Sequence, residues 1–503
     1  DSPIYRSRDE GAFSRYQWKD SKDGKGGYWL GESKDGLRYY FGADNSGKLV
    51  ESARATTPSG GVFRYMLVMV VDRYGHSLRY SYTKSGQYPL IDTIDYNEDK
   101  DGKTRNRVRF KYEDRGNDVI SDAKPGFELT LDKRLTSVEV LSGPQVIRSF
   151  KLTYEKNDSS GGVSRLKQVR QFGLKDAELP VNWTFSYSQS LGGTCKGLCN
   201  KPFLVDMGKA AGAGSVAAGT AIFLDINGDA LPDLLTSTVE GVHSFQLAVP
   251  DTTGQPKFAT QNVQSKQTPN SSDLKIGQPQ VQVMDVNGDG YVDIVNAKKG
   301  AVLCNFGGGD WSASKDCLGK GAGEQVLGLE DDADASEQNP VGVRFFDYNG
   351  DKRTDWLKTK SNGSTTVIPS TDKGFGKEID IDSVSTSATT AVFDAPGSTL
   401  QLSDMNGDNL QDAVQTQGGT LQYRLYYGWG KWGPWVEVAI DGFDKTELGK
   451  AELMDINGDG LSDIVVIQAD KLKFALNRNG AKFDKPVVID SKVVPGLPAE
   501  GPN

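Results

Sequence analysis

Five nine-residue stretches of this 503-residue chain carry the side chains best suited to chemistry. They are Asp225-Ile-Asn-Gly-Asp-Ala-Leu-Pro-Asp233, Asp285-Val-Asn-Gly-Asp-Gly-Tyr-Val-Asp293, Asp347-Tyr-Asn-Gly-Asp-Lys-Arg-Thr-Asp355, Asp404-Met-Asn-Gly-Asp-Asn-Leu-Gln-Asp412 and Asp455-Ile-Asn-Gly-Asp-Gly-Leu-Ser-Asp463. All read D-x-N-G-D-x-x-x-D. Oxygen side chains fall at loop positions 1, 3, 5 and 9: Asp225, Asn227, Asp229 and Asp233 in the first; Asp285, Asn287, Asp289 and Asp293 in the second. Asp347, Asn349, Asp351 and Asp355 follow in the third, Asp404, Asn406, Asp408 and Asp412 in the fourth, and Asp455, Asn457, Asp459 and Asp463 in the fifth. Position 7 (Leu231, Tyr291, Arg353, Leu410, Leu461) offers a main-chain carbonyl whatever its side chain. Calcium takes oxygen ligands of these kinds, so up to five calcium ions are expected. The glycine at position 4 lets the backbone turn tightly inward.

The elements around these loops must be strands. An EF-hand needs a bidentate Glu at position 12 between two helices, but position 12 is Thr236, Asn296, Lys358, Gln415 and Val466. The flanking runs are short, rich in β-branched residues and bounded by turns, which places each loop in a β-hairpin. The loops start at residues 225, 285, 347, 404 and 455, a spacing in the range of propellers and other arrays. After the last loop, Asp463-Ile-Val-Val-Ile, Leu472-Lys-Phe-Ala-Leu-Asn and Phe483 to Ile489 supply three more strands, completing a four-stranded blade. The expected fold is all-β, ending in a calcium-binding propeller of five or six four-stranded blades. Good turn formation alone would explain one such loop, but not five copies with three Asp each.

Composition narrows the function. Lys and Arg number 58 against 67 Asp and Glu, a formal charge of −9, which argues against nucleic-acid binding. Five calcium ions would bring that charge to about +1. No apolar run is long enough to span a membrane. Four cysteines form two local pairs, Cys195 with Cys199 and Cys304 with Cys317. Such pairing suggests disulfides and an oxidising compartment, with free thiols as the alternative; two remote histidines make zinc a poor fit. The stretch Gly212-Ala-Gly-Ser-Val-Ala217 matches a degenerate dinucleotide fingerprint, but a strand and an Asp loop follow where a helix should begin. His76 reads as a turn residue and His243 as a strand residue. With no nucleophile elbow, phosphate loop or paired acid and base visible, no enzymatic activity is expected.

The first half has another texture. Strands with aromatic ends recur: Leu78-Arg-Tyr-Ser-Tyr82, Val108-Arg-Phe-Lys-Tyr112 and Phe150-Lys-Leu-Thr-Tyr154. Arg105, Arg107, Arg109 and Lys111 alternate along one strand and read as a solvated basic face. Val71-Asp-Arg-Tyr-Gly-His-Ser-Leu-Arg-Tyr-Ser-Tyr82, Asp118-Val-Ile-Ser-Asp-Ala-Lys-Pro-Gly-Phe-Glu128, Arg134-Leu-Thr-Ser-Val-Glu-Val140 and Arg148-Ser-Phe-Lys-Leu-Thr-Tyr154 together resemble the SpvB-type N-terminal domain. In that family the domain precedes an FG-GAP/VCBS propeller, in the B component of bacterial insecticidal toxin complexes and in related Rhs-type toxins. The resemblance implies residues 1–190 as an SpvB-like domain truncated at its N-terminus, 191–218 as a linker or the start of the propeller, and 219–503 as the propeller. The chain begins at Asp1 without a signal peptide, as an excised piece would.

What the resemblance implies about function is a non-catalytic structural and docking module of a secreted toxin complex. The propeller would then act as platform or gate between a toxin-enclosing Rhs shell subunit and a channel-forming subunit. The alternative is a calcium-dependent lectin or adhesin whose propeller binds a host glycan or receptor. Trp429, Trp432 and Trp435, packed into seven residues with Gly and Pro between them, are the candidate partner-binding surface, although packing between blades would also accommodate them. The acidic segment 331–339 is a second variable connection suited to contact.

Overall fold

In a computed structural model of the protein, the described residues are 2–7, 11, 13–98, 104–116, 118–155, 163–187, 207–208, 220–229, 231–237, 243–252, 256–259, 263–264, 271–277, 281–296, 301–307, 311–312, 341–360, 363–371, 374–384, 393, 398–417, 419–468 and 471–490. Cys195, Cys199 and Cys317, the segment 212–217 and the acidic segment 331–339 lie outside them, as does most of the expected junction at 191–218.

The amino-terminal part is one twelve-stranded antiparallel sheet running from Ile4–Arg6 at one edge to Glu178–Thr184 at the other. Hairpins join neighbours in sequence, as alternating aromatic and polar runs with Gly turns require. The aromatic ends have a common task. Tyr82, Tyr112, Tyr154 and Tyr187 each donate their hydroxyl to a carbonyl on the preceding strand, of Leu67 (2.7 Å), Ile91 (2.7 Å), Leu135 (2.5 Å) and Leu166 (2.8 Å). Each ring thus covers apolar surface while its polar end pins one hairpin. Tyr40, Ala53, Val68, Met69 and Val71 form the local core, beneath a side hairpin of Arg54–Thr56 and Val62–Tyr65. A second side hairpin, Ile120–Asp122 with Leu129–Leu131, leaves the sheet altogether.

Five four-stranded sheets follow among the described residues, each an antiparallel blade. The described residues therefore form a propeller of five blades, within the five or six expected. Every Asp loop joins the first and second strand of its blade, for example Ala221–Leu224 to Asp233–Ser237 and Glu452–Met454 to Asp463–Ile467. Core clusters straddle neighbouring blades. Ile226, Leu235 and Phe245 pack with Ile294, Leu303 and Trp311, and Phe346, Leu357 and Val367 pack with Ala413, Tyr426 and Trp432. A four-stranded blade cannot bury both faces alone, so stacking supplies the core. The one α-helix among the described residues, Lys445–Leu448, is a single turn with an Asp444/Glu447 capping box.

Candidate functional site

The five Asp loops fold alike because their side chains replace the missing ladder bonds. In each, the position 1 carboxylate accepts the N–H of the position 4 glycine, at 2.7–2.8 Å. The position 5 carboxylate accepts the N–H of position 7, as in Asp289 to Tyr291 at 2.9 Å, while the Asn amide donates to that same carboxylate. The glycines are held at φ between 74° and 78°, the left-handed region. Crowding adds a second reason for glycine, since a Cβ on Gly288 would stand 2.9 Å from Arg353 Cγ of the next loop.

Position 9 does something that the motif alone hides. Asp233, Asp293, Asp355, Asp412 and Asp463 are all 0% exposed. One oxygen accepts the N–H of position 2 of its own loop, as Asp293 does from Val286 at 2.9 Å. The other accepts an N–H at the end of the third strand: from Ala248, Asn305, Ser370, Tyr426 and Asn477, at 2.5–2.9 Å. In blades two to five that third-strand residue then reaches back to the position 2 carbonyl of the preceding blade. Asn305 Nδ2 donates to Ile226 O (2.7 Å), Ser370 Oγ to Val286 O (2.9 Å), Tyr426 Oη to Tyr348 O (2.7 Å) and Asn477 Nδ2 to Met405 O (3.0 Å). A buried carboxylate therefore clips each blade internally, and its strand-three partner clips it to its neighbour. Blade one has Ala248 at that position, which offers no donor toward blade five.

These clips carry an electrostatic load. Burial, reinforced by the other loop carboxylates, pushes the carboxyls of Asp293, Asp355 and Asp463 up to about 7, and moves Asp233 and Asp412 in the same direction. Three carboxylates and an amide oxygen within nine residues are a donor set that fits a hard cation. Among the described residues, however, no three carboxylates are gathered at metal-binding distance, and the loop oxygens accept from loop N–H groups and the Asn amide. The donors fit; their present rotamers serve the loop.

The fourth loop is different. Asn406 and Asp408 are each 4% exposed, whereas Asp229, Asp289 and Asp351 at the equivalent position are open. The side hairpin of the amino-terminal sheet closes over this loop. Ala123 N–H donates to Asp408 Oδ2 at 2.7 Å, Asn406 Nδ2 donates to Ser121 Oγ at 3.3 Å, and Asn479 Nδ2 donates to the Val119 carbonyl. Ala123 itself joins the core shared by blades four and five.

The tryptophan segment divides. Trp432 is 7% exposed and packs on Tyr426 with ring centres 4.6 Å apart, so it belongs to the core between blades three and four, which corrects its assignment to a partner surface. Trp435 is half-buried against the same core, under the Arg424 guanidinium. Only Trp429 stands out, at 66% exposure. It takes the left-handed φ of 52°, its N–H donates to the Tyr348 carbonyl at 2.9 Å, and its ring meets Tyr348 edge-on. Since Tyr348 is position 2 of the third Asp loop, Trp429 is fixed beside that loop. Which ring enters the core is decided by the facing blade.

The remaining candidates are structural. His76 Nδ1 meets Asp72 Oδ2 at 2.8 Å across a turn, and His243 is buried, its imidazole pushed down to about 4 by desolvation. On the basic strand, Arg107 pairs with Asp95 and both Arg109 and Lys111 pair with Glu139, each at 2.5 Å. Those three charges are matched across strands rather than offered to a polyanion. Cys304 is buried and disulfide-bonded.

Residues 3–133 match the family model described as Salmonella virulence plasmid 65kDa B protein, SpvB. No curated protein matches the sequence. Among solved structures, the chain is similar over 98% of its length to the Tc holotoxin pore of Photorhabdus luminescens carrying a TccC3 mutation, with a TM-score of 0.70 and 18% identity. It is likewise similar over 98% of its length to TcdB2–TccC3 lacking the hypervariable C-terminal region, with a TM-score of 0.59 and 18% identity. The chain spans 24% and 25% of those two chains. Residues 3–133 are therefore an SpvB-type domain, and with the five-bladed propeller behind it the chain has the fold found in these Tc toxin components.

Proposed function

We propose that the chain is the non-catalytic docking portion of a secreted toxin complex. Its propeller serves as a platform or gate between a toxin-enclosing Rhs shell and a channel-forming subunit. The order of an SpvB-type domain before a propeller, and a fold shared with Tc toxin components, support this reading. The observation that carries it is the exposed Trp429, held in a strained backbone conformation on the Asp-loop rim. Strain of this kind persists where the surroundings over-determine it, often at a binding clamp, and an exposed aromatic on a rigid rim makes a good interface anchor.

Calcium braces that rim in this reading, with up to five ions held by positions 1, 3, 5 and 9 and the position 7 carbonyl. Buried position 9 carboxylates with raised pKa support it, because a cation would offset their charge. Hydrolase, ADP-ribosyltransferase and nuclease assays should read background, and turnover abolished by substituting His76 or His243 would contradict that. The docking test is capture of a channel-forming toxin subunit. Trp429→Ala should weaken capture by about 2 kcal/mol, the scale of an interface hot spot, without changing the melting profile. Trp432→Ala should instead lower stability by about 3–5 kcal/mol, as expected for an aromatic removed from a core. Unaltered capture by the Trp429→Ala protein would remove Trp429 from the interface.

A further inference from the structure

We propose that the amino-terminal sheet carries a binding site for an acidic saccharide, separate from the propeller rim. The site is a cleft of about 1020 Å³ between the turn that follows strand Leu67–Val71 and the facing ends of strands Tyr88–Glu98 and Thr104–Asp114. Tyr74, His76, Tyr96, Asn97, Arg105 and Asn106 line it.

Tyr74 is the platform. It is 71% exposed, yet its position is set by its neighbours: the Arg73 guanidinium lies 4.9 Å from the ring centre, and the His76 ring stands 6.3 Å away. The turn beneath is tied by Asp72, whose carboxylate accepts the N–H groups of Tyr74 and His76 at 2.8 Å and meets His76 Nδ1 at 2.8 Å. These bonds hold the Asp72 carboxyl below its ordinary range, with the His76 side chain the largest cause. Asp72 is thus occupied by its own turn. A fixed, half-stacked aromatic ring left open on its outer side suits the C–H face of a sugar ring.

Arg105 gives the site its sign. Of the four cations along its strand, Arg107, Arg109 and Lys111 have carboxylate partners, while Arg105 has none among the described residues and stands exposed at the cleft. A guanidinium without a partner is a bidentate donor for a carboxylate. Asn97 and Asn106 add amides that donate and accept together, which sugar hydroxyls need. An aromatic face with convergent planar polar groups and a cation without a carboxylate partner among the described residues favours an acidic sugar over a neutral one. An acidic peptide would use the Arg but gain little from the amides and the open ring face.

Titration calorimetry on the whole chain, with sialyllactose, lactose and a Glu-rich peptide as probes, tests this. Sialyllactose should bind at least about tenfold more tightly than lactose, the factor worth about 1.4 kcal/mol that one charged hydrogen bond supplies. Arg105→Gln should erase that preference and Tyr74→Ala should weaken both sugars, with melting unchanged because both side chains are exposed. Arg105→Lys should retain part of the preference, and so reads the charge even if the Gln variant folds poorly. Trp429→Ala should leave sugar binding intact, which separates this site from the docking surface. No sugar binding, equal affinity for lactose, stronger binding of the peptide, or indifference to Tyr74 and Arg105 would each overturn the assignment.

Discussion

Truncating Asp408 to Ala should loosen the joint between the two parts of the molecule. Its carboxylate accepts Ala123 N–H from the SpvB-type hairpin at 2.7 Å, Leu410 N–H at 2.8 Å and Asn406 Nδ2 at 3.1 Å. A hydrogen bond to a charged group contributes about 1.5–3 kcal/mol, and a buried N–H left without an acceptor costs about 1–3 kcal/mol. The two figures describe overlapping parts of one loss, so the expected cost is about 3 kcal/mol rather than their sum. Asp229→Ala is the matched reference: it occupies position 5 of the first loop, is exposed, and bonds only within that loop. It should cost less than about 1 kcal/mol, in the range of exposed local contacts. Urea unfolding in excess EGTA keeps ions out of the comparison, and hydrogen exchange across residues 119–131 reports on the hairpin directly. Equal midpoints for the two variants, or unchanged protection of the Ala123 amide, would refute the joint.

Other expectations follow from the same geometry. Chelation by EGTA should lower the melting temperature relative to millimolar calcium, since a site filled at a hundred times its Kd adds about 2.7 kcal/mol; superimposable melting curves would mean that the loops are turns alone. The third loop should bind most weakly, because Lys352 is forced to a φ of 67° beside Arg353, and loops with Gly290 and Gly460 at that position most tightly. Asn305→Ala and Asn477→Ala each remove a donor from a buried carbonyl of the preceding blade, and should each cost about 1–3 kcal/mol in thermal unfolding; losses near zero would show water replacing the clips. His243 has a folded pKa of about 4 against 6.5 when exposed. The unfolded state therefore takes up a proton first, and stability should fall as pH drops from about 6.5 toward 4, by about 3 kcal/mol in total. His243→Phe should flatten that part of the stability profile, and an unchanged slope would assign the acid sensitivity to other groups.

The sequence by itself determined the strands, the turns and the repeat. Alternation and β-branching need only local sterics, and D-x-N-G-D encodes its own turn, since Asp and Asn side chains bond to N–H groups two to five residues away. That locality is why five loops, a propeller of five or six blades and an SpvB-like first half were legible. Tertiary structure decided the rest. The motif marks Asp233, Asp293, Asp355, Asp412 and Asp463 only as cation ligands; that each also clips a strand 12–15 residues away is seen only in the fold. Nothing in the sequence marks Asn305, Ser370, Tyr426 and Asn477 as equivalent, because what they share is a place on the third strand and a carbonyl in the preceding blade, not a residue type. The same holds for Trp429 and Trp432, three residues apart: one ring points to solvent and the other into a neighbouring blade. The fourth loop is chemically like the others, but a hairpin about 285 residues earlier in the chain seals it. Local chemistry is written in the chain; which buried face a side chain meets depends on partners that only folding brings near.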